Sequence, residues 1–226
     1  MAHFMKLELK KIHFKNYIFI SVLSILMTMF FTYVSLNDTS FQAHTFDDTF
    51  RTVTMVFAFI FIIFFSVLNV SIVINEYTNK TIFLMFTYPV EKKKILAAKL
   101  LVITGFIALS LLVGYVFCFL FILGIDQQLD LIAGDFSPSF LADFVRSAVY
   151  AVIVFCCLGL WTFALGMIKK SATVTIVSSV VFIFLRQIVI TSLETPQETF
   201  PLVLVTVGLT AVFLWFTFER NIGQLD

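Results

Sequence analysis

The sequence lacks the motifs that would let it carry out chemistry by itself. No G-x-x-x-x-G-K-[ST] phosphate loop occurs, so the chain has no recognisable means of hydrolysing ATP. H-E-x-x-H and G-x-S-x-G are absent too, and His3, His13 and His44 lie outside the apolar runs. We predict that the chain is not an enzyme and binds no cofactor, and that any ATP-driven work needs a partner.

Charged residues and cysteines are also scarce. Charged residues make up 13% of the chain and apolar residues 60%, with a mean hydropathy of +1.03. No globular domain of 226 residues could shield that much apolar surface from water, so most of it must face lipid. Cys118, Cys156 and Cys157 all fall in apolar runs, and their spacing fits neither a zinc site nor a disulfide framework.

Six long apolar runs fill most of the chain. We place membrane helices at 17–36, 52–74, 100–124, 144–168, 172–193 and 202–218. Each is long enough to cross about 30 Å of hydrocarbon at ~1.5 Å per residue. The first run is too long for an ordinary export signal and has no small-residue cleavage site after it, so we expect it to remain as a span. The sequence thus predicts an all-α integral membrane protein with one domain, residues 1–226.

Charge sorts the connections between these runs into two classes. Lysine and arginine occur before the first run, in the second and fourth connections and in the tail, at Lys6, Lys10, Lys11, Lys15, Lys80, Lys92, Lys93, Lys94, Lys99, Lys169, Lys170 and Arg220. The other connections hold no lysine but contain Asp38, Asp47, Asp48, Asp126, Asp130, Asp135, Glu194 and Glu198. By the positive-inside rule, both termini are predicted to be cytoplasmic.

The second connection contains an apolar segment that is too short to cross a bilayer. Residues 82–86 are apolar and lie between Lys80 and the basic cluster that starts at Lys92. Pro89 has no amide hydrogen and disfavours helical geometry at Tyr88, so it should end one short helix. The segment is predicted either to dock on a partner or to form an interfacial turn against lipid headgroups.

This connection resembles the corresponding stretch of ABC-2 type permeases. In that family a Glu at the end of the second span precedes a Gly/Lys-Thr pair, an apolar helical turn, a Pro and a basic cluster. The matching positions are Glu76, Thr81, Leu84, Pro89, Ile95 and Lys99, with Lys80 where glycine is usual. The resemblance implies a coupling helix, within residues 75–99, that sits in a groove of a separate nucleotide-binding subunit. The residues that would couple to that ATPase are Glu76, Asn79, Lys80, Thr81, Ile82, Leu84, Met85, Phe86 and Pro89.

The first sixteen residues extend the resemblance. Met5, Leu9 and Ile12 share one helical stripe, with Lys6 and Lys10 opposite, as in a helix that lies in the membrane interface. ABC-2 type permeases begin with such an elbow helix. The resemblance therefore implies an ABC-2, or type V, exporter fold with an elbow helix and six spans. It also implies a second permease copy or a sister permease, and ATP and Mg bound by the partner ATPase.

Charge inside the predicted spans is limited. Arg51 and Arg146 follow Asp47 and Asp143 at spacings that suit ion pairs on one helical face, which makes them structural anchors. Arg186 lies far into the fifth span with no carboxylate within one helical turn. In ABC-2 type permeases this region often forms re-entrant helices. That resemblance would put Arg186 and Gln187 in a solvated pocket, either as structural residues or in an exit path.

The leading hypothesis is the membrane subunit of an ATP-driven exporter in a bacterial cell membrane. The apolar walls predict an apolar or amphipathic cargo, such as a peptide, an antimicrobial agent or a lipid-like molecule, and no nucleic acid partner. The alternative is an ion-coupled secondary transporter or channel, although the spans contain no carboxylate or histidine near their centres. A six-span vitamin-uptake subunit would leave the second connection unexplained.

Overall fold

A computed structural model describes residues 14–37, 46–75, 92–129, 138–191 and 199–222. These residues form six α-helices and one π-helical turn, and they include no β-strand. The elements are α1 (Phe14–Asn37), α2 (Phe46–Asn69), the π turn (Val70–Ile74), α3 (Lys92–Leu129), α4 (Pro138–Lys169), α5 (Ala172–Thr191) and α6 (Thr199–Ile222). The predicted all-helical fold is therefore confirmed for this part of the chain.

Five of the described helical segments are long and apolar enough to cross a membrane. They correspond to α1, α2 with the π turn, α3, α4 and α5. In α6 the apolar stretch Pro201–Thr217 is shorter than these five. Its length agrees with the sequence prediction, which put the sixth span near the lower limit for crossing hydrocarbon.

Several described helices extend beyond the predicted spans. α3 starts at Lys92 rather than at 100 and continues to Leu129 rather than 124, so residues 92–99 belong to a helix and not to the second connection. α2 starts at Phe46 rather than at 52, because Asp47 and Asp48 in its first turn interact favourably with the helix dipole. Residues 14–16, predicted to end the elbow helix, form the first turn of α1. The rest of the predicted elbow and residues 76–91 lie outside the described residues.

α2 and α4 occupy the centre of the bundle. α2 contacts α1, α3, α4 and α5, and α4 contacts α2, α3, α5 and α6. The largest fully buried side chains of the described residues are aromatic at Tyr115, Phe57, Phe61, Phe65, Phe155 and Phe163, followed by isoleucines and leucines. Other phenylalanines point away from the bundle, as expected for a protein surrounded by lipid.

The buried face of α1 carries hydroxyl groups. Ser21, Ser24, Thr28 and Thr32 are all buried. Each donates its hydroxyl hydrogen to a carbonyl of the preceding helical turn, at 2.8 to 3.0 Å. These local bonds satisfy the polar groups without a partner on another helix, and the small side chains let α1 lie close to α2 and α3.

Contacts between helices define two ends of the bundle. At the lysine end, the start of α1 meets the π turn, and the π turn meets the start of α3. At the aspartate end, Phe50 near the start of α2 packs on Phe144 near the start of α4, with 4.8 Å between ring centroids. Lys15, Lys99 and Lys169 belong to the first end, and Asp47 and Asp126 to the second.

Two glycines allow close approach at the helix contacts of α4. A Cβ atom added at Gly159 would lie 2.5 Å from the Phe65 ring of α2, and one added at Gly166 would overlap Thr175 of α5. These two glycines therefore let α4 lie close to α2 and α5. Gly105 of α3 differs, because no described atom lies within 4 Å of the Cβ position there.

Candidate functional site

The predicted coupling residues between Glu76 and Pro89 lie outside the described residues. The elements on either side of them are described: the π turn that ends the second helical segment, and the first turns of α3. The inner candidate site is therefore built from these two flanking elements.

The π turn replaces the ordinary α-helical bonding pattern at the end of the second helical segment. The Asn75 amide donates to the carbonyls of Val70 and Val73. A wider helical turn changes which carbonyls are bonded within the helix, and such turns often occur at functional sites. The Ile72 carbonyl accepts a hydrogen bond from Lys99 Nζ at 3.4 Å. Lys99 is only 3% exposed, so a buried cation joins α3 to the π turn.

The start of α1 is attached to the same turn. The hydroxyls of Tyr17 and Ser71 lie 3.1 Å apart and share a hydrogen bond. Three elements of the lysine end, α1, α3 and the π turn, are thus joined by polar contacts beside the 76–91 connection.

One turn earlier, α2 is bonded to α4 inside the bundle. Asn69 is fully buried, and its side-chain amide donates to the Gly159 carbonyl at 3.3 Å. Ser66 donates to the Thr162 hydroxyl at 3.1 Å, and Thr162 donates to Gly159 at 2.7 Å. The absence of a side chain at Gly159 is what exposes its carbonyl to these donors.

The connection from α4 to α5 is a tight turn at the same end. Lys170 has a φ of 48°, and the Ser171 amide donates to the Gly166 carbonyl at 3.2 Å. This is the left-handed conformation that commonly ends a helix. The close contact of Gly166 with Thr175 then fixes α5 against α4.

Arg186 forms the second candidate site, in the half of the bundle towards the aspartate end. Its guanidinium carbon lies 5.0 Å from the centroid of the Phe155 ring of α4, a cation–π contact. Arg186 is partly buried, and its Nε atom is covered and has no hydrogen-bond partner among the described residues. It therefore packs on a ring of α4, and its place in a solvated pocket stays a prediction. Gln187 is partly buried as well.

Tyr115 of α3 is a second residue of this half with a covered polar atom. It is 2% exposed, and its ring packs edge-on against Phe57 at 4.9 Å and at a tilt against Phe50 at 5.8 Å. Its hydroxyl meets hydrogen-bond geometry with no described residue. The Thr54 hydroxyl already donates to the Phe50 carbonyl at 2.9 Å.

The two arginines predicted as anchors behave differently. Arg146 forms an ion pair with Asp143 at 2.8 Å, so that prediction is confirmed. The predicted pair of Arg51 with Asp47 is not formed, although both residues are exposed at the start of α2. An ion pair between exposed side chains contributes little free energy, so neither outcome decides the fold.

Aromatic and sulfur-containing residues add packing rather than chemistry. Trp161 donates to the Thr210 hydroxyl of α6 at 2.8 Å, and its ring lies 5.5 Å from Phe182 of α5. The thiols of Cys118, Cys156 and Cys157 are free, as the sequence predicted. The described residues contain no cluster of His, Cys, Asp and Glu that could hold a metal ion.

A shallow apolar groove runs between the end of α4 and the first half of α5. Its volume is about 360 Å³. The residues that line it are Leu165, Thr173, Val174, Val177, Ser178, Val181 and Phe182. Such a surface suits hydrocarbon, because almost all its exposed atoms are apolar.

Sequence reasoning missed Asn69 and Tyr115. Asn69 is the amide at the end of the long apolar run of α2, and a polar side chain inside a span is itself a signal of function or packing. Tyr115 had no comparable signal, because tyrosine is an ordinary residue in apolar runs and only the fold buries its ring against Phe57 and Phe50.

Comparison with known proteins identifies the family. The model of a family described as ABC-2 family transporter protein matches residues 4–186. The uncharacterized protein YcbO of Bacillus subtilis (strain 168) is 31% identical over 191 residues, which cover 83% of this chain and 80% of that protein. The family match spans most of the chain, including the second connection and Arg186, and five described segments can cross a membrane. The chain therefore belongs to the ABC-2 transporter family and is a multi-pass membrane protein.

Proposed function

We propose that the chain is the membrane-spanning permease subunit of an ATP-driven exporter. A separate nucleotide-binding subunit would supply the energy, with ATP and Mg bound on that partner. The observation that carries the proposal is the family match over residues 4–186, which includes the connection predicted to dock on the ATPase. The sequence itself contains no phosphate-binding loop, so an ATP-driven role requires such a partner.

The bonds at the lysine end support a coupling role for residues 76–91. Both elements that border this connection are attached to the bundle: the π turn through Tyr17, and the start of α3 through Lys99. A displacement of the connection would therefore move α1, α2 and α3 together rather than bend one loop. Packed helices transmit such shifts because they rearrange between discrete arrangements instead of deforming continuously.

Orientation follows from charge. Lys15, Lys99, Lys169 and Lys170 lie at the lysine end, and the positive-inside rule makes that end cytoplasmic. We propose six spans, with an elbow helix before α1 and with both termini in the cytoplasm of a bacterial cell. The coupling helix would then face the compartment in which ATP is available.

The exposed faces of α5 and α6 support assembly with a second permease. Phe184 and Ile188 of α5 are 57% and 67% exposed, and Trp215 of α6 is 65% exposed. Lipid alone can cover such side chains, but an export path between two subunits also needs apolar faces of this kind. The second subunit would be another copy of this chain or a sister permease.

The alternative, an ion-coupled carrier or channel, has less support. Such proteins usually place carboxylates, histidines or broken helices near the middle of the bilayer. In the described helices, Asp47, Asp48, Asp126 and Asp143 are all close to helix ends. The cations Lys99 and Arg186 do not suit the coordination of a sodium ion, because like charges repel.

The proposal is tested by co-purification with the ATPase encoded beside the gene. The native chain should form a stable complex, and the double variant Leu84→Asp with Phe86→Asp should not, because two carboxylates would enter an apolar docking groove. The matched control is Leu131→Asp with Ile132→Asp, the same change in the connection predicted to lie on the other side of the membrane.

Native binding together with loss only in the first double variant supports the proposal. A complex that survives Leu84→Asp with Phe86→Asp places the docking surface elsewhere. If the native chain forms no complex and still transports without nucleotide, the chain is not an ATP-driven permease.

A further inference from the structure

We propose that the groove between α4 and α5 binds an acyl chain of an anionic phospholipid whose headgroup lies against Lys169 and Lys170. The observation that carries the inference is an apolar groove that opens beside two exposed lysines at the lysine end. The inference goes beyond the proposed function, because the lipid would be bound with or without an ATPase.

Contacts between helices fix the walls of the groove. Gly166 of α4 packs directly against Thr175, which holds the start of α5 on α4. At the other end, the Phe182 ring packs edge-on against Trp161 of α4 at 5.5 Å, and Trp161 donates to the Thr210 hydroxyl of α6. The groove is thus bordered by a close helix contact at one end and by a fixed aromatic pair at the other.

The groove has the length of one leaflet of a bilayer. Along α5 it runs from Thr173 to Phe182, nine steps of the helix that rise about 14 Å at ~1.5 Å per residue. Because α5 begins at the lysine end, the groove starts near that surface and ends near the middle of the ~30 Å hydrocarbon layer. One acyl chain occupies this depth, whereas a partner's membrane helix would cross both leaflets.

The lining of the groove suits hydrocarbon and offers little to a polar ligand. Val174, Val177 and Val181 repeat at the spacing of one helical face, and the last two are 56% and 50% exposed. The Ser178 hydroxyl is already used, because it donates to the Thr175 carbonyl at 2.8 Å. A polar ligand would lose its hydration in this groove without gaining hydrogen bonds.

Positive charge lies at the open end of the groove. Lys169 and Lys170 are exposed where α4 ends and the chain turns into α5. Lys169 follows Leu165, which lines the groove, by four residues, so both lie on one face of α4 with the lysine nearer the helix end. Residues 144–193 contain no aspartate or glutamate. Lysines at this level attract anionic lipid headgroups, which makes the ligand an anionic phospholipid.

A second copy of this chain fits the groove less well. Two copies in one membrane present their lysine ends on the same side, and a symmetric contact places the same surface of each copy at the interface. Lys169 and Lys170 of both copies would then meet at one level, where like charges repel. The phosphate of a lipid compensates the same charges.

The test uses tryptophan fluorescence of the purified full-length chain in lipid vesicles, without any ATPase. The chain has two tryptophans, and Trp215→Phe leaves Trp161, beside Phe182 at the inner end of the groove, as the reporter. Bromine on an acyl chain quenches tryptophan only at short range. Brominated phosphatidylglycerol and brominated phosphatidylcholine, each diluted into phosphatidylcholine without bromine, therefore give the relative affinity of the two lipids at the groove. Trp161→Phe leaves the exposed Trp215 as the reporter of ordinary lipid contact.

The first pair of variants tests the charge. Phosphatidylglycerol should be preferred over phosphatidylcholine at Trp161 by about fivefold or more, the factor expected for one lysine near a membrane surface. Lys169→Gln with Lys170→Gln should remove this preference, and Lys169→Arg with Lys170→Arg should keep it. The matched control is Lys11→Gln with Lys15→Gln, which removes the same charge before α1 and should keep the preference.

The second pair of variants tests the groove. Val177→Phe with Val181→Phe fills it and should reduce the quenching of Trp161 by both lipids. Ile176→Phe with Val180→Phe is the matched control, because these exposed residues of α5 do not line the groove, and quenching should stay as in the native chain. If neither lipid quenches Trp161 and the filled groove separates a dimer, a second copy occupies the groove and the inference is wrong. Circular dichroism checks that each variant is folded.

Equal affinity of the two lipids at Trp161 would overturn the inference, as would a preference that survives the loss of Lys169 and Lys170. The same preference at Trp215, or its loss in the control that lacks the two lysines before α1, would also overturn it, because the effect would then come from overall charge. Stronger quenching by a brominated fatty acid than by phosphatidylglycerol would make a free amphiphile the occupant and would contradict the phospholipid site.

Discussion

The two halves of the bundle treat buried polar groups differently. At the lysine end, Lys99 donates to the π turn, Tyr17 bonds Ser71, and Ser66 bonds α4. Among the described residues, three buried side-chain atoms have no hydrogen-bond partner: Asn69 Oδ1 in the lysine-end half, and Arg186 Nε and the Tyr115 hydroxyl in the other half. Unpaired polar groups in a bilayer reduce stability. Polar contacts that join helices are thus concentrated at the lysine end, whereas two of the three unpartnered atoms lie in the other half.

The contact that the comparison most depends on is the approach of α2 and α4 at Gly159. Gly159→Leu should lower the free energy of unfolding by about 3 kcal/mol, because the new side chain would displace the Phe65 ring and disturb the Asn69 bond. Thermal unfolding in detergent measures this change. Gly105→Leu is the control and should have little effect, since its Cβ position is open. Equal losses in both variants would contradict the packing described for α2 and α4.

Lys99→Met tests whether the lysine end is held by its buried cation. We expect a loss of about 2 kcal/mol, because the Ile72 carbonyl loses a bond from a charged donor. Lys169→Met is the control, since that lysine is exposed at the end of α4 and should tolerate the change. The loss is measured by comparing the thermal unfolding midpoints of the two variants with that of the native chain. A Lys99→Met protein as stable as the native chain would show that the π turn does not need this contact.

Arg186→Met should have the opposite sign. Removal of a partly buried charge that has no ion pair among the described residues should raise the free energy of unfolding by about 1 kcal/mol, even after loss of the contact with Phe155. If it unfolds at a lower temperature than the native chain, Arg186 is a stabilising residue and the contrast between the two halves fails.

The smallest effect is expected at the surface. Arg146→Gln breaks an ion pair whose side chains are 48% and 60% exposed. Such pairs change the free energy of unfolding by at most about 0.5 kcal/mol, and added salt should reduce that contribution by screening the charges. Unfolding midpoints of the variant and the native chain, measured at low and high ionic strength, would show the difference. A loss comparable to that of Lys99→Met would mean that exposed charges matter as much as buried ones.

The sequence predicted the helices well because their signal is local. Lipid requires long apolar runs, and the runs that were predicted at 17–36, 144–168 and 172–193 overlap α1, α4 and α5. α3 extends beyond the predicted span at both ends because hydropathy marks only the part of a helix inside hydrocarbon. Residues 92–99 contain leucine, alanine and lysine, which form a helix equally well outside it.

The sites were predicted less well because they depend on neighbours from distant parts of the chain. Arg186 was recognised as unusual from its position in an apolar run, but the Phe155 ring beneath it comes from α4, which the sequence alone does not place there. The π turn follows from the packing of α2 against other helices and has no sequence pattern of its own. The coupling residues between Glu76 and Pro89 remain a prediction from the family resemblance.

The most direct test of the central claim is the rate of ATP hydrolysis by the neighbouring ATPase, alone and with this chain in lipid nanodiscs. If the chain is a permease coupled through residues 76–91, its addition should change the rate severalfold. With the double variant Leu84→Asp and Phe86→Asp, the rate should equal that of the ATPase without any permease chain. With the control Leu131→Asp and Ile132→Asp, the rate should change as it does with the native chain. The same rate with and without the native chain would contradict the account.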